Sequence, residues 1–160
     1  MTVKRLKFPA GLTLVEIMAA VGVLSVAVIG ACGYRYYAAL DARKAGMLKT
    51  ASDLALLLTE SWRGVQGDET FDPTACFGSD LAISTITEGS VEPDDETFTL
   101  LGGYTVVVNG TTHVAILSWK DVSSGLRALS VVVGWPQTNQ VTANTVDAAR
   151  SFRLVTYTSR

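Results

Sequence analysis

Twenty-two residues, Leu12 to Gly33, carry a single charged side chain, Glu16. As an α-helix this run measures about 33 Å, at roughly 1.5 Å per residue, and so matches a bilayer hydrocarbon core of about 30 Å. A soluble helix needs a polar stripe, and none runs along this one, so the stretch reads as a membrane segment. Glu16 is the exception that demands a reason. A carboxylate at the centre of a membrane helix costs about 2.5–3.5 kcal/mol on insertion scales, less toward an end. An acid kept in such surroundings needs a partner.

Charge is distributed as unevenly as hydrophobicity. Lys4, Arg5 and Lys7 precede the run, and without residues 1–11 the formal balance falls from −2 to −5, ten basic against fifteen acidic side chains. Positive charge gathered before an apolar helix predicts a cytoplasmic amino terminus and a carboxy-terminal head on the other side. From Gly64 through Trp119 there is no Lys or Arg, while Asp68, Glu69, Asp72, Asp80, Glu88, Glu92, Asp94, Asp95 and Glu96 all lie there. A head so acidic, with no basic stripe, is not expected to take nucleic acid as a partner. Two cysteines, Cys32 at the far end of the run and Cys76 in the polar remainder, are not expected to pair.

The helix need not stop at the membrane. No proline occurs from Tyr34 to Trp62, and Leu40, Met47, Ala51, Leu54, Leu58 and Trp62 recur on one helical face, with Gly64 and Gly67 as a stop. One helical rod of about 52 residues is expected, roughly 78 Å long. Its outer half is amphipathic and needs a surface to cover. That surface is expected to be β-rich. "TFTLL-GG-YTVVV-NG-TTHVAILSW" predicts a three-stranded meander with two tight turns, and "LRALSVVVGW" and "SFRLVTYTS" supply two further strands. The fold class is therefore α+β, a long amino-terminal helix packed on a four- or five-stranded antiparallel sheet. Residues 64–95 read as a connection with at most short structure. Trp62, Trp119 and Trp135 are expected where the head packs on the helix, and Tyr34, Tyr36 and Tyr37 at the outer membrane interface.

The stretch "G-LTLVEIM", behind a short basic leader and ahead of an unbroken apolar helix, closely resembles the processing site of type IV pilins and type II secretion pseudopilins. "LRALSVVVGW" with "SFRLVTYTS" looks like the closing strands of minor pilins of the PilV/GspI type. The resemblance covers residues 4–33 best. It implies cleavage after Gly11 by a prepilin peptidase and N-methylation of the new terminus at Leu12. It also implies that Glu16, fifth after the cut, meets the terminal amine of a neighbouring subunit during filament assembly. A buried carboxylate is costly alone and less so when paired, so a subunit in register satisfies it and one out of register does not. The implied organisation is a cleaved leader over 1–11, an assembly helix over 12–33, its amphipathic continuation over 34–63 and a β-rich head over 64–160. The implied partners are the peptidase, other pilin or pseudopilin subunits, an inner-membrane assembly platform and membrane lipid. The implied location is the bacterial inner membrane, with the head extracytoplasmic, and the filament after assembly. Leu12 departs from the usual phenylalanine. Gly33 stands where many major pilins carry a helix-kinking proline, so it and Gly22 and Gly30 are candidates for local melting.

Two other readings compete. "Ile29-Gly30-Ala31-Cys32" fits a lipobox, with Cys32 as the lipidated residue, although "GYRYYAAL" after it continues a helix where lipoproteins have a flexible tether. A plain single-pass membrane protein explains the run but leaves Glu16 without a partner. No enzyme is expected. The chain has no G-x-S-x-G, Walker loop or H-E-x-x-H, and its one histidine, His113, falls in a strand as a surface or half-buried residue. No cofactor is expected either. The acids of "VEPDDETF", Asp94, Asp95 and Glu96 among them, are oxygen ligands of the kind calcium takes, but they lack the alternate spacing of a calcium loop and read as a solvated acidic turn.

Overall fold

In the computed structural model, residues 13–78, 80–86, 93, 95–135 and 150–159 are described. Gly11 and Leu12, like Glu88, Glu92 and Asp94, lie outside them. Helix α1 occupies Leu14–Gly64, 51 residues. It runs without interruption through Gly22, Gly30 and Gly33. A side chain at any of the three would meet nothing within 4 Å. The chain divides into two compact units, Met1–Arg43 and Lys44–Arg160.

Within the second unit the helix closes in a Schellman motif. Gly67 N–H donates to Trp62 O at 3.0 Å and Gln66 N–H to Arg63 O at 2.9 Å. The left-handed residue is Gln66 (φ 57°), followed by Gly67 (φ 70°), so the helix ends at Gly64 and the chain turns away through Gly67, the two glycines expected as its stop. Gly67 is required for space as well as for conformation. A Cβ there would stand 2.9 Å from Thr158 Cγ2 and 3.0 Å from Leu129 Cδ2.

The connection that follows holds more structure than its composition suggests. A short helix α2, Pro73–Phe77, begins with Asp72 as N-cap, its Oδ1 accepting from Thr74 N–H at 2.9 Å, and with Pro73 in the first turn. Strand β1, Ala82–Thr85, comes next. Four longer strands follow, β2 Thr99–Val108, β3 Thr111–Ser123, β4 Leu126–Gly134 and β5 Ser151–Ser159. All pairs are antiparallel, and the spatial order β1-β2-β3-β4-β5 is the order in sequence.

The sheet corrects one turn. Asn109-Gly110 makes the β2–β3 hairpin, with φ of 51° and 74°. Gly102-Gly103 makes no turn at all, because both residues lie inside β2, where the register slips between Leu100 and Gly102. The physical reason is a bulge with a close approach. The space for a side chain at 102 is taken by Tyr104, whose hydroxyl oxygen would lie 2.9 Å from a Cβ there.

The core forms where the period-3.6 face of the helix meets the period-2 face of the sheet. Ala51, Leu54, Ala55, Leu58 and Trp62 pack with Tyr104 and Val106 of β2, Ala115 and Leu117 of β3, and Leu129, Val131 and Val133 of β4. Trp119, Trp135, Phe152 and Leu154 are partly buried against this cluster, which puts all three tryptophans in or beside the core. Leu40 and Met47, on the same helical stripe, are half-buried.

Candidate functional site

Glu16 lies in the first turn of α1, and its local chemistry is a capping box. Its Oε2 accepts from Thr13 N–H at 2.8 Å and from the Thr13 hydroxyl at 2.9 Å. The Glu16 N–H donates back to Thr13 Oγ1 at 3.3 Å. Two of the unpaired amides that open any helix are thereby satisfied. The Thr13-Leu14-Val15-Glu16 spacing is the sequence signature of this box, a role for Glu16 that the resemblance alone does not supply. The box uses one carboxylate oxygen; Oε1 carries no hydrogen bond among the described residues.

Beyond it, α1 is the one helix among the described residues that is long and apolar enough to cross a membrane. Leu14, Val15, Met18, Val23, Val26 and Ile29 are all exposed. The Ser25 hydroxyl donates to Val21 O at 2.8 Å, so this polar group has its partner inside the helix. Cys32 is exposed within the helix and Cys76 exposed in α2; both are free. Tyr34, Tyr36 and Tyr37 are exposed, with the rings of Tyr36 and Tyr37 in edge contact at 5.7 Å.

The acidic candidates in the head have structural work. Asp95 Oδ1 accepts from the Thr97 hydroxyl at 2.7 Å and Thr97 N–H at 2.9 Å, and these bonds hold its carboxyl below the usual range. Arg153, which donates from Nε to Ser130 Oγ at 3.3 Å, brings Nη2 to 3.8 Å from Asp95 Oδ2. Among the described residues no group of three His, Cys, Asp or Glu side chains is placed to hold a metal ion, and Glu96 is exposed.

The densest polar constellation surrounds Arg127, which is 1% exposed. Its Nε donates to Asp121 Oδ1 at 2.7 Å, Nη1 to Gly67 O at 2.9 Å and Nη2 to Glu69 Oε1 at 2.8 Å. The guanidinium also lies over the Trp119 ring, 3.9 Å from its centroid. One cation thus joins β4, the β3 end of the neighbouring hairpin and the turn that closes α1. The bonds that Arg127 donates to the Asp121 carboxylate hold the arginine firmly protonated. This is a structural clamp between the sheet and the helix end.

His113 departs from its expectation in burial. It is 1% exposed, on the face of β3 that points to the core. Nδ1 lies 3.2 Å from Thr111 O, while Nε2 has no partner among the described residues. Burial pushes its pKa below the usual 6.5, and the backbone contact to Thr111 opposes this. The native head therefore holds the neutral ring and the unfolded chain takes the proton first. Stability should fall as pH drops below about 6.5, by at most about 1.4 kcal/mol per pH unit for one proton, until the folded value is passed. Asp68 and Asp95, lowered by the Thr70 and Thr97 bonds, lose their contribution only in the acid range beneath this window. Thermal melts of the full chain in detergent between pH 7.5 and 5.5 should slope downward. His113→Gln should flatten them, and an unchanged slope in that variant would assign the effect elsewhere.

No protein-family model, curated protein or solved structure matches the chain.

Proposed function

We propose that the chain is a non-catalytic structural subunit, a minor pilin or pseudopilin, of a type IV pilus-like filament or a type II secretion pseudopilus. It is cut after Gly11 by a prepilin peptidase, methylated on Leu12 and assembled through α1. One observation carries this reading: the acid of the processing-type motif opens a 51-residue helix that is long and apolar enough to cross a membrane. A surface of that kind is suited first to lipid and then to equivalent helices of other subunits. The head lies outside the bacterial inner membrane, and its acidity disfavours nucleic acid as a partner.

The capping box sharpens the proposed step. It depends only on Thr13 and Glu16, so cutting between Gly11 and Leu12 leaves it intact. Oε2 stays with the helix terminus, and Oε1 is the oxygen that accepts from a neighbour's terminal ammonium. Pairing of this kind offsets the cost of a buried acid only in the correct register.

The test uses two substitutions that separate capping from charge. Glu16→Gln keeps a side-chain acceptor for Thr13 and removes the negative charge; Glu16→Ala removes both. Both variants should insert in the membrane at wild-type levels, and both should be lost from sheared filaments or pseudopili. If Glu16→Gln copolymerises normally while Glu16→Ala does not, the acid serves only its own helix and the charge-pairing step is wrong.

A further inference from the structure

The two edges of the sheet are unequal. β1 offers four residues, whereas β5 offers nine, and its pairing to β4 is regular from Leu126–Ser159 to Gly134–Ser151 with no bulge. Natural edge strands are protected by bulges, prolines, inward charges or brevity. β5 has no proline and one charge, Arg153, which is already directed to Ser130 and Asp95. On the face away from α1, Arg153 is joined by Val155 and Tyr157, with Ser151 and Ser159 at the two ends. Val155 is 40% and Tyr157 55% exposed. Among the described residues β5 pairs on one side only.

We propose that β5 is a self-association edge, which pairs antiparallel with β5 of a second copy about a two-fold axis at Thr156. The strand's own sequence selects this occupant. A dyad at Thr156 sets Val155 of each copy opposite Tyr157 of the other, an aromatic against a β-branched side chain, twice. Cross-strand pairs of this type are favourable and lie about 5 Å apart at Cβ. On the opposite face Thr156 meets Thr156 and Leu154 meets Thr158. Arg153 falls opposite Ser159, so no like charges meet. A dyad at Val155 would instead set Arg153 against Tyr157 and compete with its contacts to Ser130 and Asp95. A dyad at Arg153 would oppose two arginines. The Thr156 arrangement buries the two exposed apolar side chains of the edge against each other and joins two five-stranded sheets into one. It involves only the head and does not depend on processing at Gly11.

Cross-linking of the full-length chain in detergent tests this. In a background with Cys32→Ser and Cys76→Ser, which removes both exposed thiols, Thr156→Cys places one thiol from each copy at the dyad, within disulfide reach. Mild oxidation should convert most of the chain to a disulfide-linked dimer. Ser84→Cys, exposed on the β1 edge, should give little disulfide-linked dimer under the same conditions. Tyr157→Lys, measured by light scattering without oxidation, should shift the chain from dimer to monomer mass while its β-sheet circular dichroism stays unchanged. Equal cross-linking at positions 84 and 156, a monomeric parent chain, or a dimer indifferent to Tyr157→Lys would each overturn the proposal. The last outcome would assign association to the apolar helices.

Discussion

Trp62→Ala should abolish most of the head's thermal stability. The indole is fully buried among α1, β2, β3 and β4. It stacks on Phe71 with centroids 6.0 Å apart and donates from Nε1 to Asp68 O at 2.8 Å. Truncation of a buried tryptophan leaves a cavity and costs about 3–5 kcal/mol. Here the Asp68 carbonyl also loses its donor, next to the Schellman turn whose first acceptor is Trp62 O itself. A loss of about 4 kcal/mol corresponds to a fall of roughly 12 °C or more in a domain of this size. Melting of the full chain in detergent, followed by β-sheet circular dichroism, should show that fall, with the membrane helix signal unaffected. A shift under about 3 °C would mean that the helix end is not a principal support of the sheet.

Arg127 should be nearly as costly and far more selective. Alanine removes four hydrogen bonds and a ring contact at one stroke, and leaves Gly67 O, Asp121 and Glu69 without their shared donor. Breaking a buried charge pair costs about 3–5 kcal/mol. Because the Asp121 and Glu69 side chains are each 45% exposed and regain water, a value near 3 kcal/mol is expected. Arg127→Lys is the sharper variant. A lysine keeps the charge but has no planar fork to reach three acceptors while lying flat on Trp119. It should recover less than half of the loss. A lysine variant with wild-type stability would show that charge alone, without guanidinium geometry, holds the turn.

The parts of the fold that were legible in the sequence are those governed by one period or one local signal. The helix over 14–64 follows from unbroken apolar and amphipathic periodicity, and the Asn109-Gly110 hairpin from residues that accept positive φ. The strands at 126–134 and 151–159 follow from β-branched runs. Gly102-Gly103 misled because a glycine pair marks both a turn and a bulge; what decides between them is the Tyr104 ring, whose position only the folded sheet fixes. α2 and β1 were illegible for the complementary reason: each is too short to display a period.

The site divides in the same way. Glu16 stands out as an acid among apolar residues, and T-x-x-E gives its local partner, so both features could be read from four residues. Arg127 carried a weaker signal, a lone cation at the start of the apolar strand LRALSVVVG. Its acceptors lie 6, 58 and 60 residues away, at separations that no window along the chain joins. The alternation around His113 assigns it a strand and a face but does not say how deeply that face is covered, so its place in the core is not legible in the sequence.

The claim on which the functional account stands is that a cationic terminus is made at Leu12 and meets Glu16 of an adjoining copy. Intact-mass and amino-terminal peptide mass spectrometry of the protein from its native membrane tests it most directly. The account predicts a chain beginning at a methylated Leu12, 149 residues long by removal of residues 1–11 from the 160. A diacylated Cys32 or an uncut Met1 would contradict it.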